Sequence, residues 1–303
     1  MDSQLRNLAA TYSIVARDPR TGELGVAVQS SYFSVGTDVS WAEPGVGAIA
    51  TQAIVEVAYG PKGLALLARG ATAQEALDEL VARDPLSALR QVAIVDTAGR
   101  AAAHTGGACV SACAHALGDG YSVQGNMLAS NAVWRAMLPA FEECEGDLAE
   151  RLMAALEAAE RAGGDVRGRQ SAALLVVTGE RPANSWEGRS FDLHVEDHPR
   201  PLEELRRLLT LKRAYALFQQ ARGTFGAGDL EGALEMVARA RKLQPNDFQF
   251  AFWTGVALAN SGRPEQARAW LAEAFRESDV WRELGRRLRE AGLFTGDPTL
   301  LEP

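Results

Sequence analysis

Short apolar runs organise residues 1–197, whereas a helical period organises everything after Pro201. Thr11–Ala16 (TYSIVA) and Leu24–Ser30 (LGVAVQS) are rich in β-branched side chains, and the Asp18-Pro19-Arg20-Thr21-Gly22 stretch between them suits a tight turn. The pair predicts a β-hairpin. Gly45–Gln52 (GVGAIATQ) carries small residues at nearly every position, as in a strand covered on both faces. Helices are predicted over Pro61–Arg69 and Thr72–Arg83, the second opened by Thr72 with Glu75 three residues later, the pattern of a capping box. A second hairpin, Gln91–Asp96 with Ala101–Thr105, turns at Ala98-Gly99, and Tyr121–Gly125 predicts a further strand. Asn131–Cys144 and Asp147–Ala162 follow as helices, the latter with Leu148, Leu152, Ala155, Leu156 and Ala159 on one face. Ser171–Thr178 and Ser190–Val195 complete the region as strands.

Strands, two helices, strands, two helices, strands is not the alternation of a doubly wound sheet. The order suits an α+β fold layered α–β–β–α. His198-Pro199-Arg200-Pro201 interrupts any regular element and marks the expected boundary, giving domains 11–197 and 198–303. Beyond it the chain aligns on itself at 34 residues: Ala221 with Gly255, Gly228 with Gly262, Ala233 with Ala267, Val237 with Leu271, Ala240 with Ala274. That is the period of the tetratricopeptide repeat. Small residues at the matching positions allow close helix contact, the glycines turn the chain and Pro245 ends the first repeat. Pro201–Ala214 and Val280–Leu293 are expected as flanking helices.

A length of 303 residues agrees with two cores. Hydrophobic residues make up 47% and charged residues 23%, the balance of a packed protein rather than a disordered one. The net charge of -8 is unevenly spread: residues 198–303 carry 16 basic and 14 acidic side chains, residues 1–197 carry 15 and 25. The acidic N-terminal part, without a basic stripe, argues against nucleic acid as a partner. Cys109, Cys113 and Cys144 are an odd number in a long chain, which argues against a disulfide framework and for a reducing compartment. No window approaches a membrane span and no basic-then-apolar leader opens the chain, so no membrane is expected and the cytoplasm is the expected location. The common hydrolase and nucleotide-binding motifs are missing. His194-x3-His198 ends a predicted strand and Cys109-x3-Cys113-x-His115 lacks a second ligand pair, so neither a metal nor another cofactor is expected.

Four blocks remain: Thr11–Pro19 (TYSIVARDP), Thr21–Val28 (TGELGVAV), Val123–Leu128 (VQGNML) and Gly163–Ala173 (GGDVRGRQSAA). In this order they resemble the bacterial domain-of-unknown-function 1028 family over about residues 11–197. The resemblance implies an N-terminal-nucleophile hydrolase fold with a four-layer αββα core, which agrees with the order of elements. It also implies amide cleavage by a Thr, Ser or Cys whose own α-amine is the base. Some members carry a C-terminal segment classed as peptidoglycan-binding. Tetratricopeptide-like helices occupy that place here, which leaves both a protein and cell-wall material open as what this domain binds.

That chemistry needs a hydroxyl and a free amine on one residue; an α-amine of ordinary pKa, about 8, accepts the hydroxyl proton near neutral pH. Thr11, first in the matching block, is the implied nucleophile, or else a plain β-branched strand residue. Ser13 on the same face would orient it by hydrogen bonding. Gly125 would let substrate approach the backbone, and the Asn126 amide would either stabilise an oxyanion or cap a turn. Asp165, Arg167 and Arg169 sit in a Gly-rich loop, where they either hold the loop or grip a substrate carboxylate or α-amine. Ser30, Ser31 and Gln52 end strands and are further pocket residues.

Two functions stand open. One is an amidohydrolase acting on a small amide or peptide-like substrate through an acyl-enzyme on Thr11, without a cofactor. The other is a catalytically silent α/β scaffold whose helical repeats bind a protein or peptide partner. A homo-oligomer is compatible with both. Met1–Ala10 form an N-terminal extension or propeptide, and while they remain the Thr11 nitrogen is an amide that cannot act as base. Without a second Met before Thr11, either the Ala10–Thr11 bond is cut, or an unusual downstream start is used, or activity has been lost.

Overall fold

The computed structural model describes residues 8–9, 11–184 and 186–302. Of the expected N-terminal extension, residues 1–10, only Leu8–Ala9 fall within them; they form strand β1. Thr11–Arg17 (β2) and Leu24–Ser30 (β3) make the predicted hairpin. The Gly22 amide donates to the Asp18 carbonyl, and the Asp18 carboxylate accepts from the Arg20 amide at 2.8 Å, so Asp18 fixes the turn.

From this hairpin grows a six-stranded antiparallel sheet. Its further members are Ala114–Gly118 (β8), Tyr121–Asn126 (β9), Ser171–Val177 (β10) and Arg189–Val195 (β11), in the order β11-β10-β3-β2-β9-β8. The second sheet contains Ser40–Glu43 (β4), Gly47–Ile54 (β5), Arg90–Asp96 (β6) and Ala101–Thr105 (β7). It runs β1-β5-β6-β7, with β4 also on β5, and is antiparallel throughout. Tyr59–Ala68 (α2) and Ala73–Ala82 (α3) cover its outer face through Leu64, Leu67, Ala76, Leu77 and Leu80 against Ile49, Val92 and Ile94. The predicted Thr72/Glu75 capping box opens α3, the Glu75 amide donating to the Thr72 hydroxyl at 3.1 Å. Ala132–Glu143 (α4) and Leu148–Arg161 (α5) pack on the first sheet. Between the sheets, Val15, Val26 and Val28 meet Ala48, Ala50, Ala93 and Val95. Helices therefore lie outside two facing sheets, a mixed α+β arrangement.

Strands β4 and β8 and the short helix Val35–Val39 (α1) have no counterpart in the sequence reading. Ala-His-Ala-Leu-Gly has no β-branched residue, and β8 exists because β9 offers it an edge.

The chain divides into two compact units, Met1–Arg207 and Leu208–Pro303. The division falls within helix Pro201–Gly226 (α6), where a separate helix ending at Ala214 was expected. No Gly or Pro interrupts residues 202–222, so nothing stops α6 earlier. Leu230–Leu243 (α7), Phe248–Asn260 (α8), Pro264–Glu277 (α9) and Asp279–Glu290 (α10) follow. Helices α7 and α9 have the same length, and each bound of α9 lies 34 residues after that of α7. Gly228 and Gly262 take left-handed φ of 88° and 71° in the turns that precede these helices. Ala221, Ala233, Val237, Ala240, Ala267, Leu271 and Ala274 are all buried in one core. A Cβ on Gly255 would stand 2.7 Å from Leu271 Cγ, so glycine there sets how closely α8 meets α9.

Gly255→Leu is expected to destabilise the helical unit by about 1–3 kcal/mol through overpacking. Gly223, also helical, has open space where its Cβ would stand, and Gly223→Ala should stabilise by about 0.5–1 kcal/mol. Thermal melting followed by tryptophan fluorescence checks both; equal melting of the Gly255→Leu and parent chains would refute the packing account.

Candidate functional site

Alternation along the strands places one side chain in two in the gap between the sheets. At one end of the gap, Ser171, Ser30, Thr11 and Asn126 stand side by side on β10, β3, β2 and β9. The next row holds Ala173, Val28, Ser13, Gln124 and His115, the third Leu175, Val26, Val15, Ser122 and Leu117. Gln52, Gln91 and Thr105 face them from β5, β6 and β7, followed by Ala50, Ala93 and Ala103. The gap is thus polar at the Thr11 end and apolar at the other.

Burying so many polar groups is tolerable only if they bond to one another. The Thr11 hydroxyl donates to Ser30 Oγ at 3.3 Å, and Gln52 Nε2 reaches the Thr11 carbonyl at 3.4 Å. Gln91 sets the direction of the remaining bonds. Its Nε2 faces the Thr105 hydroxyl (2.9 Å) and the carbonyls of Gly125 (2.9 Å) and Ala114 (3.0 Å), and the two carbonyls only accept, so an amide oxygen could not stand there. Its Oε1 must therefore accept, and it does so from Gln52 Nε2 at 2.7 Å and Asn126 Nδ2 at 3.0 Å. Gln52 Oε1 then accepts from the Ser13 hydroxyl at 2.6 Å, Ser13 Oγ accepts from Gln124 Nε2 at 2.7 Å, and Gln124 Oε1 accepts from Ser122 at 2.9 Å. Thr105, accepting from Gln91, is left to donate to His115 Nδ1 at 2.8 Å. Burial, then neighbouring His104, holds the His115 pKa below its ordinary value, which suits a neutral ring accepting at Nδ1.

Asn126 Oδ1 is buried without a partner among the described residues. The residues after Gln52 and Asn126 are also exceptional: Ala53 (φ 72°) and Met127 (φ 50°) are non-glycine residues in the left-handed region, costing about 1–3 kcal/mol each. Strain of this kind collects where the surroundings over-determine the backbone.

The expected site residues divide into three groups. Thr11, Ser30, Gln52 and Asn126 come together. Ser13 joins them one step removed: its hydroxyl is spent on Gln52, so it does not orient Thr11 directly. Gly125 faces Leu128 rather than a ligand, since a Cβ there would lie 2.6 Å from Leu128 Cδ1, while its carbonyl serves Gln91. Buried Asp165 holds the loop, accepting from the Ser31 amide at 2.9 Å, the Arg167 amide at 2.8 Å and the Arg167 guanidinium at 3.0 Å. Arg169 lies elsewhere. It pairs with Glu160 of α5 at 3.3 Å, and the same carboxylate accepts from Tyr12, which alternates with Thr11 and Ser13 and points to the other side of β2. Arg169 therefore does not share a cleft with Thr11. Burial, then the Glu160 charge, pushes the Tyr12 pKa up.

Burial also pushes Cys109 up to about 11 and raises Cys113, so both remain thiols at neutral pH and are poor nucleophiles. Among the described residues no group of three or more His, Cys, Asp and Glu could hold a metal ion, and no helix is long and apolar enough to cross a membrane.

The model of a family described as "Family of unknown function (DUF1028)" matches residues 11–205, more than half of the chain. The chain belongs to this family. A crystal structure of protein SPO2555 from Silicibacter pomeroyi, also of DUF1028, matches at 34% identity and a TM-score of 0.60. The match covers 66% of this chain and 84% of that one. Anbu (ancestral beta-subunit) from Yersinia bercovieri matches at 13% identity and a TM-score of 0.31, over 65% of this chain and 91% of that one. No curated protein matches.

All of the polar rows lie inside the DUF1028 match. Gln91, Thr105, His115, Ser122, Gln124 and Ser171 were not among the expected site residues, although a signal was present. Ser122, Gln124 and Asn126 alternate with Tyr121, Val123 and Gly125, placing polar residues on the inward face of a fully buried strand.

Gln91→Leu in the DUF1028 domain removes a hydrogen-bond partner from the Gln52 and Asn126 amides and from two carbonyls, and should lower stability by about 2–4 kcal/mol. Gln29, buried with neither side-chain polar atom partnered among the described residues, is the control: Gln29→Met should cost nothing. Urea unfolding distinguishes the two. His115 gives a pH dependence. Its folded pKa lies below the unfolded value of about 6.5, so acid favours the unfolded chain. This contribution is complete above about pH 6.5 and falls as pH drops from there toward the folded pKa. Melting temperatures at pH 8 to 5 should fall less in His115→Gln than in the parent, and parallel curves would contradict the assignment.

Proposed function

We infer that the DUF1028 domain is an amidohydrolase of the N-terminal-nucleophile kind, with a four-layer αββα core, acting on a small amide or peptide-like substrate through Thr11. The observation that carries this reading is the place of Thr11: first residue of a central strand, its hydroxyl in a row of hydroxyls and an amide. The groups bonded around Thr11 are amides and hydroxyls, and the imidazole of His115 is engaged one row away with Thr105, so the base in this reading is the Thr11 α-amine once the Ala10–Thr11 bond is open. The amine takes the hydroxyl proton as Oγ1 attacks the substrate carbonyl; the C–N bond breaks and the leaving amine carries the proton away. Water then cleaves the resulting ester and restores Thr11. Asn126 Nδ2 is held by Gln91, and Oδ1, without a partner among the described residues, gives Asn126 the role of accepting a substrate N–H.

A second reading is favoured by one observation: Thr11 is wholly buried while Leu8–Ala9 pair with β5. A catalytically silent domain, with tetratricopeptide-like helices that bind a protein or peptide, fits that closed form. The test is a shortened chain encoding Met followed by Thr11, whose Met is readily trimmed. It should hydrolyse members of a panel of N-acyl amino acids, cyclic amides and short peptides that the full chain does not, and Thr11→Ala should abolish the activity. Equal inertness of the trimmed protein and its Thr11→Ala form would sink the nucleophile and leave the scaffold, and equal activity would sink both the nucleophile and the silent scaffold.

A further inference from the structure

A cleft of about 500 Å³ opens between α2 and α3, on the far side of the second sheet from Thr11. Its volume is that of a small-molecule site. Ala65, Leu66, Leu80 and Pro85 give it apolar walls, and Tyr59 donates to Asp84 at 3.0 Å within it. Its charges are unevenly satisfied. Glu79 pairs with Arg83 at 3.2 Å. Asp84 and Glu56 share buried Arg90, at 2.7 and 3.6 Å. Lys62 on α2 and Arg69, which caps the end of that helix seven residues later, both line the cleft and make no ion pair among the described residues. Seven residues is close to two helical turns, so the two cations stand on one side of the helix. With Arg83 and Arg90, the site holds four cations and three carboxylates, an excess of one positive charge beside apolar walls.

The geometry points to a binding site for a monocarboxylate with an apolar body, its carboxylate held by Lys62 and Arg69 and its chain lying on Leu66, Leu80 and Pro85. A single negative charge balances the site, and Arg69 supplies the forked donors that a carboxylate fits. The site is wired to the polar rows. Arg90 precedes Gln91, its Nη1 donates to the Ile54 carbonyl at 2.6 Å, and Ile54 follows Gln52 and left-handed Ala53. A carboxylate that redistributes the Glu56 and Asp84 charges around Arg90 acts on Gln52 and Gln91 from behind. The inference is independent of Thr11 chemistry, so it stands or falls without an assay of hydrolysis.

Octanoate is the probe, titrated into the full chain by calorimetry and by amide NMR. Saturable binding is expected, about tenfold or more weaker in Lys62→Glu/Arg69→Glu, with the Gln52 and Gln91 side-chain amide resonances moving during the titration. Both substituted residues are exposed, and an unchanged melting temperature checks that the variant is folded. Octanamide, which has the same chain without the charge, should not bind the parent protein. Absence of saturable octanoate binding, equal affinity in the double variant, or equal binding of octanamide would overturn the site. Binding that leaves the Gln52 and Gln91 resonances unmoved would overturn its connection to the polar rows.

Discussion

The amide of Gln91 lies between two sheets that would otherwise present each other with unsatisfied polar groups. It faces carbonyls on β8 and β9 with its nitrogen and gathers the amides of Gln52 and Asn126 with its oxygen. Backbone carbonyls cannot change roles, so they dictate which way the Gln91 amide points, and through it the direction of every bond as far as Ser122. A leucine in its place would fill the space but would take a hydrogen-bond partner from the Gln52 and Asn126 amides and from two carbonyls. The register of the two sheets and the orientation of the side chains around Thr11 thus share one cause.

The same gap explains why polarity is confined to one end. Toward its other end the rows become Val, Ala and Leu, which pack without directional demands and hold the sheets together. The polar end is held by geometry instead, and the left-handed Ala53 and Met127 show the backbone bent to meet it. Loops join this end through backbone bonds: the Met127 amide donates to the Val110 carbonyl and the Val166 amide to the Met127 carbonyl. Asp165, expected either to hold the loop or to grip a ligand, is occupied with Ser31 and Arg167 in this closure.

The helical unit follows a simpler rule. Its core is built from small residues at matched positions, with Phe218 stacked on Phe250 and Phe252 against Trp281 filling the remaining space. Arg222 lies over Trp253 and Arg241 over Trp270, so cations cover indole faces that the core leaves open.

By itself the sequence determined what depends on neighbours along the chain. The β2–β3 hairpin, the capping box of α3, the two helix pairs and the glycine turns at Gly228 and Gly262 rest on local periodicity, turn chemistry and backbone freedom, all legible residue by residue. It also brought Thr11, Asn126 and Gln52 to notice, though not their connection. Only the tertiary structure decided that Gln91 and Gln124 complete the row, that Ser13 serves Gln52 rather than Thr11, and that Arg169 belongs with Glu160 and Tyr12. The physical reason is the two-residue period of a strand. Adjacent residues such as Thr11 and Tyr12 point to opposite sides of the sheet, and which side becomes the gap between sheets is settled by partners 40 to 150 residues away along the chain, roughly the separations of Ser13 from Gln52 and Tyr12 from Glu160.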